Sequence, residues 1–472
     1  MNCLDGALNI KRCKYTAFGF ALASSFVLFE SAPALAETLE GALTKAYGQN
    51  PTLNSQRAST RAVDENVPQA KALGRPTISL TGDVGLTQSD GKSMSFGGKS
   101  RFSEFYQPRG VGATVTQTLW NGNKTENSTR AAESQILGAR QTLRNTEQTT
   151  LLNGATAYMN VLRDTAILNL KRNNVDVLDE QLRQTNDRFK VGEVTRTDTA
   201  QAQSRVAAAR SDTILAQANL KASLAIYRQQ VGDEPKQLAP GVSVEKILPP
   251  KLESAHQIAQ AEHPAILGAL HGVDAQLLQV KVAESDLYPN LSVQGNVQNR
   301  WATNSDGTIG YAASVVARLS VPIYEGGAVY SRVRQAKETL GQTQINVDIQ
   351  RDTVRAAVVQ SIGQLDASKA QIMSTQAQVK AAEIALNGVR EEAKVGQRTT
   401  LDVLNAQQEL INARVAFISA QRDRVVNSYN VLSSIGRLDA ASLRLKVGVY
   451  NPKVHYEQVK DKWIGLRTPD GK

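Results

Sequence analysis

The side chains best placed to do electrostatic work are Asp198 and Asp402. Each follows a Gly-centred break and opens a helix with a Thr/Asp start, in VGEVTRTDTAQAQ (Val191–Gln203) and VGQRTTLDVLNAQ (Val395–Gln407). A carboxylate in a first helical turn is favoured by the macrodipole, and Arg398 beside it is a solvated turn cation. Catalytic chemistry has far less to draw on. His256, His263 and His271 are 7 and 8 residues apart, but Pro264 interrupts the helix and no HExxH pattern exists. The run Phe96 to Ser100 contains GKS, yet Ser93 stands where a phosphate loop requires Gly. No enzyme activity, metal site or cofactor is expected.

The N-terminus reads as a secretory signal over residues 1–36. Lys11, Arg12 and Lys14 precede an apolar run from Ala17 to Phe29, and Ala34-Leu35-Ala36 supplies small residues before a cut between Ala36 and Glu37. Both cysteines, Cys3 and Cys13, lie in that segment. The exported chain is therefore expected to lack disulfides, thiolate metal sites and cysteine nucleophiles, and an N-terminal lipid anchor. No run of about 18 apolar residues follows, so a membrane span has to be made of strands. The net charge of +10 is spread along helical faces and aromatics are only 5%, which argues against nucleic acid as a partner.

The two breaks are one pair among many. Trp120 and Tyr324, Gly192 and Gly396, Asp198 and Asp402, and Gly232 and Gly436 are each 204 residues apart, while Pro51 with Pro264 and Pro76 with Pro289 are 213 apart. The chain reads as two copies of one unit, 37–250 and 251–439, with nine extra residues in copy one between Pro76 and Trp120. Residues 440–472 have no counterpart and are expected to form an irregular belt or a partly disordered tail.

In each copy a short helix (39–49, 252–262) ends before Pro51 or Pro264, and a second runs to about Leu73 or Asp286. The period then changes to 2. Strands are expected at about 76–88, 109–120, 289–301 and 311–323, each with one apolar and one polar face. Their length suits an outer-membrane barrel. Trp120, Tyr288 and Tyr324 fall at one set of strand ends and Tyr106, Trp301 and Tyr311 at the other, as two interfacial girdles would. A soluble hairpin sheet with aromatics capping its core is the alternative. The loops at about 89–108 and 302–310 are rich in Gly, Ser, Asp and Lys.

Helical patterns of 69 residues follow, Gly122–Lys190 and Gly326–Lys394, each roughly 100 Å long. Apolar positions step 3, 4, 3, 4 through Val175, Leu178, Leu182, Thr185 and Phe189, through Val379, Ala382, Leu386, Val389 and Ala393, and through Leu401, Leu404, Gln408 and Ile411 in the return. Antiparallel coiled-coil hairpins are expected, tipped at 191–198 and 395–402.

Four strands cannot close, and open edges in lipid cost several kcal/mol per unpaired group. Two chains would give eight strands and a filled interior, three would give twelve and a lumen, and the polar rows favour three. The fold class is thus an α+β membrane protein. It is a trimeric 12-stranded barrel, four strands per chain, continued by a long α-helical coiled-coil barrel. An exported coiled-coil structural or adaptor protein without a pore is the rival reading.

The duplication, the strand ends QTLWNG and VPIYEGG, the tips FKVGEVTRTD and AKVGQRTTLDVLNAQQEL, and the early NP break together resemble the TolC family of outer-membrane efflux and secretion channels over the whole exported length. That resemblance implies a homotrimeric duct in the outer membrane of a Gram-negative bacterium, with its helices in the periplasm. Its implied partners are outer-membrane lipid, a periplasmic adaptor, and an inner-membrane pump of RND, MFS or ABC type; cargo is drug, toxic compound or protein. The adaptor would dock at the tips, at Val191, Gly192, Val395, Gly396 and Thr399. Asp198 and Arg398, with Thr197, match the family's inter-hairpin latch, and Asp402 its acidic lumen constriction. Asn405 replaces a second Asp there and Ala393 an aromatic of the turn, and both replacements bear on how tightly the gate closes.

Overall fold

The computed structural model describes residues 36–95, 98–302, 307–469 and 471. The segment read as a signal lies outside them except for Ala36, as do Phe96 and Gly97 of the GKS-containing run and part of the loop at 302–310. The chain begins with α1 (Leu39–Gln49), α2 (Pro51–Asp64) and α3 (Asn66–Ala72), then β1 (Thr77–Val84), β2 (Thr87–Ser95), β3 (Gly98–Tyr106) and β4 (Arg109–Trp120). A 67-residue helix α4 (Lys124–Lys190) turns back as α5 (Arg196–Val231). After a 3-10 turn come α6 (Leu252–Glu262), α7 (Pro264–Ser285), β5 (Asn290–Trp301) and β6 (Ile309–Ser320). A second 67-residue helix α8 (Ala328–Lys394) returns as α9 (Thr400–Ser434), and α10 (Lys453–Val459) lies in the C-terminal segment.

Local chemistry sets these boundaries. Asn50 caps α2 by accepting from the Thr52 and Leu53 N–H groups at 2.9 and 3.3 Å, with Pro51 at the first helical position. His263 does the same before Pro264, its Nδ1 accepting from the Ala265 N–H at 3.2 Å. It is a buried capping residue. The helix expected to run unbroken from Pro51 to about Leu73 is interrupted at Glu65. Pro68 in the next turn has no N–H to give to Asp64.

The sheet order is β1-β4-β5-β6, antiparallel throughout, and β1 and β6 are its two edges. The segment expected as an outer loop at 89–108 is instead a second hairpin, β2 paired with β3. Its Ser and Gly residues had hidden a strand pair with little apolar alternation.

The main core lies where the two helical hairpins meet α1, α6 and the C-terminal segment, around Leu43, Tyr158, Tyr227, Ile266, Leu432 and Leu438. The Tyr158 hydroxyl donates to the Glu37 and Ala239 carbonyls at 2.8 and 2.6 Å, and burial pushes it up to about 12. Glu37, expected to be the first exported residue, forms a parallel bridge with Leu238 and pairs with Lys45 at 2.9 Å.

The described residues of the C-terminal segment pack against this core. Leu445 joins the cluster, the Tyr450 N–H donates to the Tyr47 hydroxyl at 3.0 Å, and Arg57 lies over both the Tyr47 and Tyr450 rings. Farther on, His455 Nδ1 sits 3.0 Å from Asp64 Oδ2, both side chains buried. Burial holds the Asp64 carboxyl above its ordinary range, and the His455 hydrogen bond works against that. Replacing His455 with Ala leaves Asp64 buried without this partner, which costs about 1–3 kcal/mol. A lower unfolding temperature and faster proteolysis within 440–469 are the expected outcomes.

Candidate functional site

At the far end of the hairpins, two turns reverse the chain by the same geometry. Gly192 and Gly396 take φ of +80° and +81°, which glycine adopts without a Cβ clash. The Glu193 N–H donates back to the Arg188 carbonyl at 2.9 Å and the Gln397 N–H to the Glu392 carbonyl at 3.0 Å, closing the last helical turns. Val191 and Val395 are left 72% and 71% exposed, an unusual position for valine at both tips.

The return helices start with reciprocal capping boxes. The Asp198 N–H donates to Thr195 Oγ1 at 3.3 Å while the Thr195 N–H and hydroxyl donate to Asp198 Oδ2 at 2.9 and 2.7 Å. Thr399 and Asp402 make the same three bonds at 3.2, 3.0 and 2.8 Å. The Thr399 backbone and hydroxyl bonds hold the Asp402 carboxyl below its ordinary range. Arg398 turns toward its own hairpin and pairs with Glu392 at 2.8 Å. Within one chain Asp198 and Arg398 are thus each engaged inside their own tip, and Thr197 is exposed.

What joins the two hairpins lies one to two turns farther in. Leu404 packs with Leu178, Val206 and Ala209 of the first hairpin, while Val403, Ala406 and Leu410 face Leu386 and Val389 of α8. The seam expected through Leu401, Leu404 and Gln408 is therefore replaced by two faces on α9, because this helix has partners on two sides; Leu401 is exposed, as is Phe189. Polar links run beside Leu404. Arg205 donates to the Asn405 Oδ1 at 2.7 Å, and Gln407 donates to the Asn174 Oδ1 at 3.1 Å while accepting from Arg390 at 3.0 Å. Asn174 and Gln407 are buried. Asn405, read from the sequence as a lumen residue, thus has its amide on the first hairpin. The polar residue that interrupts the expected apolar rhythm is the neighbouring Gln408, which bonds Asn412 of its own helix, so neither Gln407 nor Arg205 carries a sequence signal for these links.

At the other end the sheet register sorts the side chains. One face carries Ile78, Leu80 and Val84, then Val111, Ala113 and Val115, then Leu291, Val293 and Val297, then Ala313, Val315 and Leu319, aligned row by row across all four strands. Many of these are largely exposed, Leu80 to 84% and Val315 to 80%. The opposite face carries Thr77, Ser79, Thr81, Asp83, Thr114, Thr116, Ser292, Gln294, Asn296, Gln298 and Arg318. On it Arg300 reaches across the strand between to Asp83, at 2.9 and 3.0 Å, and it can do so because Gly110 stands in the way with no side chain.

The aromatics divide. A register shift between Thr118 and Trp120 brings Trp120 opposite Leu291, onto the apolar face, where it meets Tyr288 edge-on at 6.4 Å. Trp301 and Tyr311 lie on the same face at the other end, and Tyr324 follows β6, 79% exposed. Tyr106 departs from the expected girdle: it belongs to β3, opposite Thr87, past the sheet's rim.

Among the described residues no helix is long and apolar enough to cross a membrane. The family model described as outer membrane efflux protein matches residues 42–232 and 255–437. The chain is 41% identical over 463 residues to the outer membrane efflux protein BepC of Brucella suis biovar 1, covering 98% of this chain and 99% of that one. To the outer membrane protein TolC of Escherichia coli it is 26% identical over 425 residues, covering 86% and 84%. Its fold matches the crystal structure of the Campylobacter jejuni CmeC outer membrane channel with a TM-score of 0.74 at 15% identity, over 90% of this chain and 89% of that one. The chain therefore belongs to the outer membrane efflux protein family, as a channel for efflux or secretion rather than an enzyme, seated in the outer membrane of a Gram-negative bacterium with its helices in the periplasm.

Proposed function

We propose that three copies of this chain form the exit duct of a tripartite efflux pump or type I secretion system, with a 12-stranded barrel above and a closed ring of helical hairpins below. The observation that carries the reading is the four-stranded sheet with an exposed apolar face and two unpaired edges. Three of its strands, β4, β5 and β6, have 12 residues and reach about 40 Å along the chain and roughly 30 Å in height at barrel tilt, the thickness of a hydrocarbon core. In lipid the edges need partners, and three copies supply them around a lumen wide enough to stay wet. The paired elements support reading 37–250 and 251–439 as two copies of one unit, with 440–469 as a belt. A pore-free periplasmic spacer would have to bury the apolar face that this sheet leaves open.

The tips are the gate in this reading, and the exposed Val191 and Val395 with Gly192, Gly396 and Thr399 offer the surface on which a periplasmic adaptor, itself bound to an inner-membrane pump, would dock. Asp198, Thr197 and Arg398 act between subunits as a latch, and Asp402 forms an acidic ring in which three like charges attract cations. Exposed ion pairs contribute only about 0–1 kcal/mol each, so adaptor contacts can outweigh them. Because Arg398 already has Glu392 as a partner, opening costs it little.

Purified protein in planar bilayers tests the duct: heat-modifiable trimers and ion conductance are expected, and a soluble monomer without conductance would refute it. Asp198→Ala combined with Arg398→Ser should raise single-channel conductance, and unchanged conductance removes the latch. Asp402→Ala should weaken block by added divalent cations. Since the Thr399 bonds hold the Asp402 carboxyl below the ordinary carboxylate range, that block should persist as pH falls to about 5 and disappear only below the usual Asp titration.

A further inference from the structure

Past the sheet's rim, β2 and β3 continue as a two-stranded ribbon that keeps the pairing count of β1 with β4. Val84 faces Arg109, the Gly85 N–H donates to the Pro108 carbonyl at 2.8 Å, and Thr87 faces Tyr106. Side chains alternate along such a ladder. On that count Lys92 and Met94 fall on the side of Leu80 and Val84, and Lys99, Arg101 and Phe105 on the side of Val111 and Val115. These are one and the same side, the apolar one. On the reverse side the Phe102 ring lies over Gly91 and fills the space a side chain would take there, as aromatic rings do to steady strand glycines.

The apolar-side continuation is poorly matched to plain water. Lys92 stands directly opposite Arg101 with Lys99 on its diagonal, and like charges so placed destabilise a strand pair that is only marginally stable by itself. Among the described residues no ion pair joins these three cations to a carboxylate; Asp90, which shares their side, accepts from Gln88 at 3.3 Å. Met94 and Phe105 are exposed beside them, 80% and 60%. Just below, at the rim, come Arg109 and Trp301. Apolar rows, then a cation and an aromatic, then three unpaired cations is an order that fits the passage from hydrocarbon to a layer of fixed anions.

We propose that this side of the ribbon binds the phosphate groups of glycolipids in the outer leaflet around the barrel. Lys92, Lys99 and Arg101 take the phosphates, and their mutual repulsion becomes shared attraction to the same anions. The inference rests on the sheet being membrane-embedded, and a conductance measurement on the same vesicles reports on that separately. Full-length protein with Cys3→Ser and Cys13→Ser receives an environment-sensitive dye at Met94→Cys. It is then reconstituted in vesicles of phosphatidylcholine alone, with a phosphorylated lipid A glycolipid, or with its dephosphorylated form. The dye emission should shift only with the phosphorylated lipid, lose that shift with Lys92→Ser, Lys99→Ser and Arg101→Ser together, and retain it with Lys92→Arg and Lys99→Arg. Conductance should stay the same throughout. An equal shift in all three lipids, a shift that survives the serine changes, or one produced on phosphatidylcholine vesicles by soluble polyphosphate and not by membrane glycolipid would overturn the proposal.

Discussion

The period-two alternation of a β-ladder is the constraint on which the rest of this molecule depends. A slip of one residue in any pairing would carry a strand's whole apolar set to the other face. The junction between β4 and β5 is where the two halves of the chain are committed to a common face. There Val111, Ala113 and Val115 meet Asn299, Val297 and Gly295 in a single register. Among the described strands of this sheet the bulge beside Trp120 is the one place where that alternation is broken, and it turns the indole onto the apolar side, against Tyr288. Below the sheet, Asp286 at the end of α7 pairs with Lys124 of α4 and Arg332 of α8, at 2.7 and 3.3 Å, so both long helices leave the sheet from one anchored point.

Much of this was legible before the structure because it is periodic. The helix boundaries at Gln49 and Glu262, the 67-residue helices and the β4, β5 and β6 strands follow from caps, prolines and changes of period that a linear chain displays openly. The β2–β3 ribbon was not legible: its strands alternate Ser, Gly and charged residues, and the pairing is inherited from the neighbouring hairpin rather than announced by hydrophobicity. Nor were the contacts of the C-terminal segment, such as Tyr450 on Arg57 and His455 on Asp64, which no repeat reveals.

The tips show the same division. Gly192, Gly396 and the two Thr/Asp capping boxes could be named from sequence, since each answers a local backbone need. The inter-hairpin links could not. Arg205 with Asn405 and Asn174 with Gln407 join residues 200 and 233 positions apart, and their chemistry is decided by how two helical hairpins lie against each other. An amide at position 405 gives Arg205 a neutral acceptor instead of a counter-ion, a softer hold between hairpins than a carboxylate would make.

The two borders of the sheet are unlike: β1 is an eight-residue strand and β6 a twelve-residue one. In the trimer proposed above, contact between copies would join a left border to a right border, a heterologous joint that ends only when a ring shuts. Every member of that proposed ring would be indispensable to it, so one faulty chain would ruin its neighbours' work as well as its own, and in a mixed population the share of sound rings of three would fall as the cube of the share of sound chains.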